Sequence, residues 1–145
     1  MSATNDVTQA IEAAWTAGNL ASSVPGGLHA VPLATKRPLS PYATLEVTKD
    51  ARANLWTTGA AYIDYRRVKV ILYGVGQTAL GTVVSKVLLA IWKNGANYIA
   101  LAIPNATWMR TEYLSDDIKL EEPVAGDDVR SGPMEFCIWS QRTAG

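Results

Sequence analysis

Residues 61–92, AYIDYRRVKVILYGVGQTALGTVVSKVLLAIW, decide the fold. The first part, Ala61–Tyr73, is rich in β-branched and aromatic residues and predicts the longest strand of the chain. In its first half Asp64 and Arg66 alternate with Tyr65 and Arg67, so polar groups fall on both faces; from Val68 onward it turns apolar. A strand of that kind is expected to run from a packed core out into solvent or into a neighbour. Beyond Gly74-Val75-Gly76, residues Leu80, Val83, Val84, Val87, Leu88 and Ile91 recur at helical spacing. They form a broad apolar stripe and predict a helix over 78–92, with Thr78 as N-cap and Asn94-Gly95 as its stop. A helix striped in this way has to lie on a sheet.

Working outward, an earlier helix is expected from Thr4 or Asp6 to about Ala17. Asp6 and Gln9 have capping-box spacing, and Val7, Ala10, Ile11 and Ala14 share one face. Pro25-Gly26-Gly27 marks a turn before a short strand over 28–33. Ala43, Leu45 and Val47 then alternate with Thr44, Glu46 and Thr48, the pattern of a half-buried strand. Residues 49–61 form a polar excursion that holds Trp56. Downstream, strands are expected over 98–103, 107–114, 118–121 and 134–141. In the last of these Met134, Phe136 and Ile138 face one way, and Glu135, Cys137 and Trp139 the other. The order helix, strands, helix, strands predicts a single α+β domain spanning 1–145, with a largely antiparallel or mixed sheet and two amphipathic helices packed on it.

Composition narrows the function. The 145 residues suit one ordinary domain, and 48% apolar with 18% charged residues describes a globular chain, not a disordered one. Residues 80–92 are too short and too mixed to cross a bilayer, and no membrane partner is expected. No basic-then-apolar leader pattern opens the sequence, and one cysteine excludes an internal disulfide and fits a reducing compartment. Thirteen acids balance thirteen bases, so net charge gives no case for nucleic acid binding. The distribution is uneven. Residues 30–93 hold nine Lys/Arg against three Asp/Glu, and residues 94–145 hold four against eight. Either these are solvated faces of one domain, or a basic surface of one subunit meets an acidic segment of the next.

No catalytic constellation stands out, and no enzyme activity, metal or cofactor is expected. His29 is the only histidine, which removes two-histidine metal sites. A Cys137–His29 nucleophile pair is disfavoured because Cys137 sits in an apolar strand, where free cysteine acts as a small core residue. The pairs Asp116-Asp117 and Asp127-Asp128 are adjacent, so on a strand their members would point to opposite faces. Gly74-Val75-Gly76-Gln77-Thr78-Ala79 matches the G-x-G-x-x-A dinucleotide fingerprint. Against it, the strand before it is charged, and no Asp or Glu lies between Asp64 and Glu112 to hold a ribose. The plainer alternative is a strand-to-helix turn that needs glycine.

Aromatic and charged residues outside the periodic core point to assembly instead. Trp56 in its polar loop and Trp15 toward the side of the first helix are candidate interface anchors, though either can fold back onto its own domain. The segregated charge and the long, partly polar strand 61–73 add to the case.

This layout resembles the tail-terminator (tail completion) proteins of long-tailed bacteriophages and gene-transfer particles. The resemblance runs over about residues 5–142. It is carried by the opening helix, by PYATLEV at 41–47, by YIDYRRVKVILY at 62–73, by the helix 79–92 and by MEFCIW at 134–139. None of these is a diagnostic motif; the likeness is one of pattern and order. It implies a ring, typically of six subunits, in the virion at the junction of tail and neck. Such a ring touches itself, the tail tube protein and a neck or head-closure protein, and DNA passes through its lumen without specific binding. On that basis the expected interface pairs Arg66, Arg67 and Lys69 of one subunit with Asp116, Asp117 or Glu121 of the next, with Trp56 as an anchor. Another neck component, such as a head-closure protein, or a minor tail protein is the alternative within the same class.

Overall fold

The computed structural model describes residues 3–31, 38–49, 55–56, 61–115, 117–121 and 129–143. Helix α1 (Ala3–Ala17) leads through a short 3-10 turn into β1 (Leu28–Ala30), β2 (Tyr42–Lys49), β3 (Leu55–Trp56) and β4 (Ala61–Tyr73). Helix α2 (Gln77–Ile91) follows, then β5 (Lys93–Asn94), β6 (Asn97–Tyr98), β7 (Ala106–Tyr113), β8 (Leu120–Glu121), β9 (Arg130–Ser131) and β10 (Met134–Thr143). The main sheet has the order β1-β2-β4-β10-β7. Among the described residues only its β1–β2 pair is parallel. The expected mixed sheet under two amphipathic helices is therefore what the chain forms.

β4 occupies the centre, where the β-branched run 68–71 fits a strand flanked on both sides. It pairs with β2 along 66–73 and with β10 along 61–70. Val68, Val70 and Leu72 point to one side. There they join Ala43 and Leu45 of β2 and Met134, Phe136 and Ile138 of β10. α1 contributes Val7, Ala10, Ile11 and Trp15, and α2 contributes Leu80, Val83, Val87 and Ile91, to this one core. Trp15 is thus a core residue, not an interface anchor.

The polar half of β4 departs from expectation. It does not run out into solvent. Asp64 is fully buried, and Arg66 is nearly so, donating to the Asp64 carboxylate at 2.9 Å and to Thr4 Oγ1 of α1 at 3.1 Å. On the adjacent strand of the same inner face, Arg142 of β10 donates to buried Asp6 at 2.6 Å. Asp6 does not cap α1; it lies inside the first turns and ties the helix to the sheet. Charges read from sequence as exposed are buried here because each meets an opposite charge under α1.

Smaller differences have local causes. α2 begins one residue early on Gly76, with no side-chain cap, so Thr78 is exposed within the helix. Asn94 and Gly95 do not end the helix; they belong to the tight β5–β6 hairpin. Of the expected strand 98–103 only Tyr98 lies in a strand, the two-residue β6. β3 and β9 were not expected. Each is two residues long, too short for an alternation to register, and each extends an edge of β4 where a longer partner has ended.

Candidate assembly surface

The helices cover one face of the sheet, so the alternation of β4 puts Tyr65, Arg67, Lys69, Ile71 and Tyr73 on the other. No helix of the described residues packs on that outer face. Lys69 stands between Glu46 of β2 and Glu135 of β10, in direct cross-strand register. Arg67 stands between Thr48 and Cys137. Tyr65 meets Trp139 edge-on at 4.3 Å, and Arg110 of β7 stacks over the Trp139 ring. Tyr42 and Tyr73 stack at 4.8 Å. The face is an aromatic and charged surface, half-buried by its own neighbours.

Three of the seven expected interface residues change meaning. Arg66 and Arg67 are adjacent on a strand and point to opposite faces, so they cannot act together; Arg66 is committed to Asp64 beneath α1. Asp117 and Glu121 are exposed, but each has a cation within its own subunit, Lys119 at 3.4 Å and Arg130 at 3.0 Å. They lie near the end of β4, since β8 pairs with β9 and β9 joins β4 at Tyr73. Arg67 is six residues back, roughly 20 Å along the strand. Trp56 pairs through its backbone with Tyr62; its side chain, like the whole of Asp116, lies outside the described residues.

Sequence reasoning missed the two edges of the sheet. β1 forms one edge, with Val31 just after it and Leu39 packed by its carbonyl against Gly26 just before it. β7 forms the other. Beside it lies an open groove of about 590 Å³ lined by Trp92, Tyr98, Trp108, Tyr113 and Met109. A bulge interrupts β7 at Met109, opposite Trp139 and Ser140. Relative exposures are 39% for Val31 and 86% for Leu39 on the first edge, and 53% for Tyr98, 45% for Met109 and 39% for Leu114 on the second. Val31, Tyr98, Met109 and Leu114 all fall inside strands expected from sequence, and alternation does not tell an edge strand from a central one, so no sequence signal marks them.

The chemistry considered from sequence is not assembled. Cys137 is buried and accepts a hydrogen bond from the Tyr65 hydroxyl at 2.8 Å. His29 sits on β1, separated from β10 by β2 and β4, with Nε2 2.7 Å from the Gly26 carbonyl. Among the described residues no three His, Cys, Asp or Glu side chains converge as metal ligands. The Gly74 turn has a structural purpose. Its φ is +78°, and a Cβ there would lie 1.7 Å from Ser40 Oγ. Glycine is required where the turn closes against Ser40-Pro41, and its N–H is already given to the Val129 carbonyl at 2.7 Å. The strand feeding the turn is flanked by antiparallel partners, not by the parallel strand of a mononucleotide-binding unit.

No protein-family model matches the sequence, and no curated protein matches it significantly. Solved structures do share its fold. It is similar to a chain of the virion of a native gene transfer agent particle, with 22% identity, 84% of each chain covered and a TM-score of 0.55. A second solved chain is similar at 15% identity, with 100% of this chain and 99% of that chain covered and a TM-score of 0.55.

Proposed function

We propose that this chain is a structural protein of a phage-like particle, one that forms a ring of about six copies, terminates the tail tube and joins it to the neck. The observation that carries this is the shared fold with a chain of a gene transfer agent virion, over 84% of both chains. Two features of the molecule support it. Exposed apolar side chains gather at both edges of one sheet, as expected of a subunit that works through contacts with its neighbours. The glycine turn is filled by Ser40, which favours a structural over a nucleotide-binding use. Its partners are further copies of itself, the tube protein and a head-closure protein. A chain with no net charge is compatible with a ring through which DNA passes without being held.

The test is native mass spectrometry over a concentration series, with and without NAD, followed by electron microscopy of the largest species. A closed oligomer near six copies, indifferent to NAD, is the expected result. A chain that stays monomeric in the presence of purified tail tubes, or that binds NAD tightly, overturns the proposal.

A further inference from the structure

The hairpin that contributes Tyr98 to the aromatic groove carries the only Asn-Gly pair in the sequence, Asn94-Gly95. β5 and β6 pair Lys93 with Tyr98 and Asn94 with Asn97, so Gly95 and Ala96 form a two-residue turn. Gly95 has φ +64° at the first turn position, a conformation that glycine adopts without strain. The turn stands clear of the domain. Residues 94–98 are all exposed, and a Cβ built on Gly95 would meet no atom within 4 Å.

Two groups in this turn have no other commitment. Among the described residues the Asn94 side-chain amide makes no hydrogen bond, and the Gly95 N–H donates to no acceptor. A bond between the Gly95 nitrogen and Cγ of Asn94 would close a five-membered ring, and glycine brings no side chain to crowd it. The other described asparagines lack this combination. Asn5, Asn19, Asn97 and Asn105 are followed by Asp6, Leu20, Tyr98 and Ala106.

We infer that Asn94 is a site of spontaneous covalent modification, at which the folded chain converts to aspartate and isoaspartate. The Gly95 nitrogen loses its proton to solvent base and attacks Cγ of Asn94. The N–Cγ bond forms, the bond from Cγ to the side-chain nitrogen breaks, and that nitrogen takes a proton and leaves as ammonia. Water then opens the succinimide. Cleavage at Cγ restores the backbone and gives aspartate. Cleavage at the former backbone carbonyl gives isoaspartate, whose main chain runs through Cγ and is one methylene longer. Nothing is oxidised or reduced, and solvent is the only co-reactant. Either product places a new carboxylate next in sequence to Lys93, whose ammonium lies 5.0 Å from the centre of the Tyr98 ring. Isoaspartate also takes Lys93 and Asn94 out of register with Tyr98 and Asn97, and so disturbs the wall of the groove that Tyr98 provides.

The experiment follows the full wild-type chain, kept folded at physiological temperature in buffers of rising pH. Peptide mapping by mass spectrometry locates each conversion by fragmentation, and isoaspartyl methyltransferase labelling reports isoaspartate. Asn94 is expected to convert ahead of every other asparagine, at a rate that rises with pH because the Gly95 nitrogen must give up its proton. In Asn94→Gln the ring would need a sixth member, so the methyltransferase label is expected to be lost; a matching melting curve shows that this exposed substitution leaves the fold intact. Conversion at Asn94 no faster than at Asn5, Asn19, Asn97 or Asn105 overturns the inference. So does a label that survives Asn94→Gln, or conversion at Asn94 only after the chain is denatured.

Discussion

The inner face of the sheet is closed in two different ways under the same helices. Toward the end of β4, Val68, Val70 and Leu72 meet Phe136 and the stripe of α2, and water is excluded by apolar packing alone. Toward its start, Asp64, Arg66, Asp6 and Arg142 meet under the first turns of α1. Each method leaves a different vulnerability. Packing loses stability in proportion to the volume removed. A buried ion pair is nearly indifferent to joint replacement by apolar residues, yet fails badly when one partner is left alone.

The largest expected effect is at the apolar end. Phe136→Ala removes a fully buried ring and should cost about 4 kcal/mol, measured by denaturant unfolding. At the ionic end, Asp6→Ala should cost about 3 kcal/mol by taking the carboxylate away from buried Arg142, and Asp6→Leu/Arg142→Met should restore most of that loss. A double variant as unstable as the single would mean that the charges, not the space they fill, hold α1 in place. Smallest of all is Lys69→Ala on the outer face, expected within about 0.5 kcal/mol of wild type in the same assay. A larger loss would show that the outer face is as tightly packed as the inner one.

These two ends were not equally legible in the sequence. The apolar end was: β4 begins and ends where its composition said, and the helix stripe 80–91 is the buried one. The ionic end was not, because Asp64, Arg66 and Asp6 look like surface residues until the strands that oppose them are known. Asp6 and Arg142 are separated by 136 positions, and no local pattern reports such a meeting. The candidate surface was misread for the related reason that Arg66 and Arg67 were grouped by charge when strand alternation already divides them. The exposed residues at the two edges were hidden because a strand pattern does not report which strands will be outermost, nor where a bulge such as that at Met109 will fall.

The Asp6–Arg142 link also bears on how the chain is made. A ribosome delivers α1 before β10, so the first helix waits for the strand that anchors it until all the strands between them have been made. Its apolar stripe and its carboxylate have no finished site until then. Nascent chains stalled before β10 should consequently hold α1 loosely, and such intermediates, with the stripe still uncovered, are where chaperones would engage this protein.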